Sequence, residues 1–296
     1  MTESPEPQTD NERRVTRRAV LGAGLVAATG VGAAGYGATR YLRDETAPES
    51  QTYPEPVYGN PDQEFHITAT AGEIEIAPGE TIETWLYNDQ YPGPEIRVEE
   101  GERVQITVEN DLPEETSVHW HGMALPGENA MDGVLGVTQP PIEPGEKFVY
   151  EFNVTPTGTH WYHSHVGLQL DRGLLGPLII EENDPHVEYD REHTIVIDEH
   201  LTTEPEVTSE GRGMMRFPGS PAYDGTLVNG KLPSEPETVT VTEGERVRLR
   251  FLNAGSATTY RVAVAGHPMK ITHADGPGVE PVETDIQHRS RVDRKP

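Results

Sequence analysis

At 296 residues the chain has room for about two domains, and its 30 Gly and 26 Pro suit many short strands joined by turns better than long helices. A net charge of −27 argues against nucleic acid and anionic lipid as partners. It reads as a solvated acidic surface, as in proteins adapted to high salt, or as an acidic partner-binding face. With no cysteine, the chain excludes disulfides, thiolate nucleophiles, Cys-based zinc sites and thiolate-ligated copper within its own residues.

Charge is unevenly spread. Residues 1–43 carry six Arg against four Asp or Glu, leaving 17 basic and 46 acidic residues in 44–296. Arg17-Arg18 stands before a run of small uncharged residues, GAGLVAATGVGAAGYGAT, and behind a polar, acidic stretch. The arrangement resembles a twin-arginine export signal. That implies passage of the folded chain through the twin-arginine translocase to an extracellular or cell-surface location. The alternative is a membrane anchor, because the 21 uncharged residues 19–39 are long enough to span a bilayer. Their Gly/Ala composition is weakly apolar and no clear A-x-A site closes the run, so cleavage and retention as a tether both stay open. Residues 44–62 read as a linker.

Beyond the linker the chain repeats itself at an offset of 143: VEEGERVQITVEN (98–110) returns as VTEGERVRLRFLN (241–253). Each copy has an E-G-E turn followed by alternating, β-branched-rich sequence, which predicts a hairpin leading into a strand. The turn-rich leads YNDQYPGPEI (87–96) and VNGKLPSEPE (228–237) precede the two copies. A repeat of this length is two related domains, not a solenoid. Short apolar runs between Pro/Gly turns predict an all-β chain of tandem Greek-key sandwiches with antiparallel strands, over 63–183 and 190–296. Only 43 residues follow Asn253, against 72 from Asn110 to Glu182, so the second domain is expected to be incomplete. Its last residues, RSRVDRKP (289–296), hold four of the 17 basic residues, and read as a frameshifted or misassigned end, or else as a natural basic tail.

Two His-x-His pairs carry the chemistry: SVHWHG (117–122) holds His119 and His121, and GTHWYHSHV (158–166) holds His163 and His165. On a strand, residues i and i+2 share a face, so each pair aims two imidazoles at one point, as a metal site requires. Imidazole suits Cu, Zn, Fe and Ni, and donor type alone does not choose among them. Hydrolase-type zinc patterns fit poorly, since no H-E-x-x-H occurs, and a cupin-like iron site would find its glutamate only at Glu128. The same offset carries His119 and His121 to Val262 and Val264 in YRVAVAG, so the second copy is expected to be metal-free. His160 is out of phase with the second pair. His66, His186, His193 and His200 have no close His partner in sequence, and with His267 and His273 they read as structural. Met269 lacks the neighbouring Cys of an axial copper ligand. Met123, Met131, Met214 and Met215 read as packing.

From about residue 65 to 283 the chain resembles the N-terminal two domains of a laccase-type multicopper oxidase. The stretches that carry the likeness are WLYNDQYPGPEIRVEEGERVQITVENDLPEETSVHWHG, MDGVLGVTQPPIEPGEKFVYEFNVTPTGTHWYHSH, GLLGPLIIEE, and LVNGK, GERVRLRFLNAGS and GHPMKITHADG in the second copy. The resemblance implies a cupredoxin-type fold and half of a trinuclear copper cluster. His119 would ligate the type 2 copper, and His121, His163 and His165 the type 3 pair. Asp132 matches an acidic residue that helps supply protons for O₂ reduction; alternatively it only makes the M-D-G-V turn. The family completes its cluster with four more His from a C-terminal domain, whose Cys also binds the mononuclear copper. None of those ligands is found here. Two hypotheses follow: an N-terminal portion of an oxidase acting on O₂ and a reducing phenolic, organic or metal substrate, inactive alone, or a non-catalytic secreted copper-binding sandwich. A copper nitrite reductase also uses cupredoxin domains but needs a Cys in the first.

Overall fold

A computed structural model describes residues 52–205 and 221–284. The twin-arginine-like stretch, Met214, Met215 and the basic tail lie outside the described residues. Thirteen strands follow in chain order: β1 Gln63–Ala77, β2 Glu80–Tyr87, β3 Ile96–Glu99, β4 Arg103–Asn110, β5 His119–His121, β6 Lys147–Asn153, β7 Gly158–His163, β8 Leu175–Glu181, β9 Arg191–His200, β10 Gly225–Val228, β11 Val247–Asn253, β12 Lys270–His273 and β13 Gly278–Glu283. Among the described residues the one helical element is a 3-10 turn at Asn129–Met131.

The first eight strands form a sandwich of two four-stranded sheets, ordered β2-β1-β4-β6 and β3-β8-β7-β5. Alternation places the core. In β4 every second residue is buried, with Val104, Ile106 and Val108 fully enclosed. They meet Tyr150 and Phe152 of β6 in the same sheet and, from the facing sheet, Ile96, Val98, Trp120, Tyr162, Leu178 and Ile180. Trp120 has no exposed surface and packs edge-on against Tyr150, with ring centroids 5.2 Å apart.

The expectation of purely antiparallel sheets is corrected. β1 pairs with β4, β3 with β8, and β9 with β11 in parallel. Parallel neighbours need a long crossover. Here β3, which lies in the opposite sheet, supplies part of the path from β1 to β4.

The internal repeat is visible in three dimensions. The order β10-β9-β11 reproduces β2-β1-β4, with an antiparallel then a parallel pair. Asn88, in the left-handed region, accepts from Thr68 N–H through its side-chain oxygen and donates to the His66 carbonyl. Asn229 does the same to Val196 N–H and the Thr194 carbonyl. The E-G-E turns match too, since Gly101 (φ 85°) and Gly244 (φ 92°) adopt the conformation that only glycine takes without strain. The YRVAVAG segment, counterpart of β5, forms no strand.

Candidate metal centre

The antiparallel register of β5 on β7 builds the centre. His119 lies opposite His163, and His121 opposite Trp161, so all four side chains share one face. Trp120 and Tyr162, which alternate with them, turn into the core. The outcome is a cluster in which ligand atoms of His119, His121 and His163 all lie within 4.8 Å of one another. Trp161 lies against two of the imidazoles at once, 4.7 Å from the His121 ring and 4.4 Å from that of His163.

Main-chain carbonyls decide which nitrogens face inward. His119 Nδ1–H donates to the Asp132 carbonyl at 2.7 Å, and His163 Nδ1–H to the Ser164 carbonyl at 2.8 Å. Each bond fixes one tautomer and leaves Nε2 as the free donor atom, the arrangement that metal-binding histidines require. Behind them, the buried Thr116 and Ser164 both donate to Gln169 Oε1, and Gln169, also buried, in turn donates to the Glu115 carbonyl. The loop that carries Asp132 is held close. A Cβ on Gly133 (φ 77°) would lie 1.8 Å from the Val118 carbonyl oxygen.

Burial pushes the His163 imidazole down to about 3; neighbouring His119, His121 and His165 push the same way, and only the Ser164 carbonyl opposes them. His121 is also lowered, first through partial desolvation of its ring and then through His119, His160 and His165. Both rings are therefore neutral near pH 7, with lone pairs available. His121 Nδ1 and His163 Nε2 stand 3.2 Å apart, roughly what two nitrogens about 2.0 Å from one tetrahedral ion would span. The donor set fits a borderline transition metal such as copper.

The second pair behaves differently from the strand argument. His163 ends β7, and His165 lies in the loop beyond it, exposed to solvent. Its ring is 5.4 Å from His119 and 6.2 Å from His163, so it joins the rim of the cluster without meeting the three-way convergence. Asp132 sits at the same rim with its Oδ1 3.4 Å from His119 Nδ1. Glu128 is taken elsewhere, paired to Arg103 and accepting from Asn153 N–H. His160 is buried and donates to the Pro156 carbonyl, as a structural histidine does.

His186 and His273, read from the sequence as structural, lie 87 positions apart, yet their rings meet at 4.9 Å, tilted by 54°, beside Glu182. Neither pair spacing nor a strand pattern could announce that contact, because the chain's two halves create it.

Two family models described as multicopper oxidase match the chain, one over residues 68–185 and the other over 191–287. A multicopper oxidase, MmcO, of Mycobacterium tuberculosis is 32% identical over 93% of this chain and 59% of its own length. Laccase-1 of Cryptococcus neoformans var. grubii is 34% identical over 67% of this chain and 35% of its own. Among solved structures, the blue copper oxidase from Nitrosomonas europaea superimposes with a TM-score of 0.64 at 30% identity, covering 75% of this chain and 70% of that one. The chain thus spans well under two thirds of the length of these two curated relatives.

Proposed function

This chain belongs to the multicopper oxidase family, and on that premise we propose that it carries half of the oxygen-reducing copper cluster of a laccase-like oxidase. In this reading the whole enzyme takes single electrons from phenolic, other organic or metal substrates and passes them to O₂, forming water. The observation that carries the proposal is the convergence of His119, His121 and His163 across β5 and β7. His119 is assigned to the type 2 copper, and His121, His163 and His165 to the type 3 pair.

Copper held by these imidazoles supplies the redox chemistry of dioxygen reduction. The chain's own residues do the positioning. The Asp132 and Ser164 carbonyls orient His119 and His163, while Trp161 packs against the rings of His121 and His163. The Asp132 carboxylate, partly exposed beside His119, is placed to take protons from solvent and release them where water formation consumes them.

The chain contains no cysteine, so a thiolate-bound copper, through which electrons would enter, depends on residues beyond these 296. The same fact favours a second reading, a non-catalytic secreted copper-binding sandwich. Export through the twin-arginine translocase is part of both proposals and is supported by Arg17-Arg18 before its small-residue run. Copper analysis after dialysis tests the centre: exchanging His163 and His165 for Ala is expected to abolish retention at the His119 cluster and so to lower the copper held. Unchanged copper stoichiometry would remove both from the ligand set. Oxygen uptake by the copper-loaded chain with a phenolic reductant tests both readings at once, because turnover by these residues alone contradicts both.

A further inference from the structure

A second group of metal-type side chains lies away from the β5–β7 face, where the two halves of the chain meet. Glu182 follows β8, His186 sits four residues on in the connection to β9, and His273 ends β12. One ligand atom from each lies within 4.8 Å of the other two. The carboxylate stands between the rings, with Oε1 2.9 Å from His186 Nδ1 and Oε2 3.4 Å from His273 Nε2.

Hydrogen bonding sets which atoms point into the group. His186 Nε2–H donates to the Thr272 carbonyl at 3.0 Å, which turns Nδ1 toward Glu182. His273 Nε2 accepts from Arg248 Nη2 at 3.2 Å, so it bears no proton of its own. That bond takes up the ring nitrogen's single lone pair, while Glu182 Oε2, 3.4 Å away and shielded from water, has no hydrogen-bond partner. A shielded carboxylate oxygen with no donor of its own, beside a ring nitrogen held only by Arg248, leaves a place that a cation bound to both would fill. The backbone is shaped around the group as well: a Cβ on Gly278 in β13 would lie 2.5 Å from His186 Cε1.

We propose that Glu182, His186 and His273 form a second metal site, specific for a borderline divalent ion such as zinc or copper(II), which ties the first sandwich to the β12–β13 hairpin. Two imidazoles and one carboxylate suit this class, and a water completes the fourth position on the partly exposed His186 side. The ion takes the place of a proton at His186 Nδ1. Arg248 occupies His273 Nε2 when the ion is absent and has Glu192, 3.9 Å from its Nε, as an alternative partner. The site goes beyond the oxygen-reducing reading, since none of its ligands belongs to the His119 cluster.

Zn²⁺ titration of the chain, followed by calorimetry and by NMR of the histidine rings, tests it. The expected result is one zinc equivalent whose binding shifts the His186 and His273 ring signals together. Glu182→Gln should weaken that equivalent about tenfold or more, while the equivalent that moves the His119, His121 and His163 signals is kept. Cu²⁺ in the same experiment should broaden the His186 and His273 signals. If neither ion moves those two rings in the unsubstituted chain, the proposal is overturned. That readout decides the matter even where Glu182→Gln does not fold. Equal zinc affinity in a folded Glu182→Gln variant overturns it as well.

Discussion

His119 and His163 face each other across the antiparallel pair β5–β7, with ring centroids 5.4 Å apart. That one register brings together two His-x-His motifs 44 residues apart. A slip by one residue would turn the His-bearing face inward and put Trp120 on the solvent side, so burial of Trp120 and Tyr162 enforces the alignment of the imidazoles.

Trp161 lies against both His121 and His163, which makes it a reporter of the centre. Copper binding is expected to quench the fluorescence of Trp161 strongly and that of core-buried Trp120 less. Titrating copper into the parent and a Trp161→Phe variant checks this. An equal fractional quench in both would place copper away from the β5–β7 face.

Asp132 and Gly133 separate main-chain from side-chain roles. The bond to His119 uses the Asp132 carbonyl, so Asp132→Asn should retain copper at the parent level. Gly133→Ala forces a side chain into the left-handed region and against the Val118 carbonyl, at a cost of about 2 kcal/mol or more. Copper content and urea midpoints of both variants distinguish them. Loss of copper in Asp132→Asn would show that the carboxylate, not the carbonyl, sets the site.

Asp198 in β9 is buried, accepting from the Tyr91 hydroxyl and the Glu199 N–H, and burial pushes its carboxyl up to about 7. A raised carboxyl means that the folded state holds a proton which the unfolded state has released above about 3.9. The stability from this group is complete below that value and is lost as pH rises through about 7, on the order of 4 kcal/mol in total. Urea unfolding at several pH values should therefore show a shallower decline from pH 4 to 7 in Asp198→Asn than in the parent. Parallel curves would contradict the assignment.

Arg250 in β11 is buried with its guanidinium bonded to Glu192 at 3.0 Å, to Glu181 at 3.2 Å and to the Thr159 hydroxyl at 3.1 Å. Removing it leaves two carboxylates without that countercharge at the junction of β7, β8, β9 and β11. Arg250→Ala should destabilise the fold by about 3–5 kcal/mol, less whatever Arg97 compensates, since Arg97 also pairs with Glu181 and Glu192. Thermal unfolding checks the size, and a change below about 1 kcal/mol would mean that Arg97 carries the charge balance alone.

Much was legible in the residues. The alternation in RVQITVEN announces β4, the E-G-E turns are glycine-dependent, and the 143-residue repeat reappears as β10-β9-β11 copying β2-β1-β4. The strand argument held for His119 and His121, which lie together on β5, and reached too far for His165, which lies past the end of β7. Parallel pairing was not legible, because alternation within a strand carries no information about which neighbour it will meet.

The amino-acid sequence by itself determined the all-β architecture, the duplication, the two His-x-His pairs and the lack of cysteine among these residues. Each of these is a local or compositional property. Only the tertiary structure decided the rest: the register that sets His119 opposite His163, the carbonyls that fix the ring tautomers, and the meeting of Glu182 and His186 with His273. Those depend on which strands pair and which surfaces are buried. Such choices are made by the core as a whole, through contacts between residues far apart in the chain.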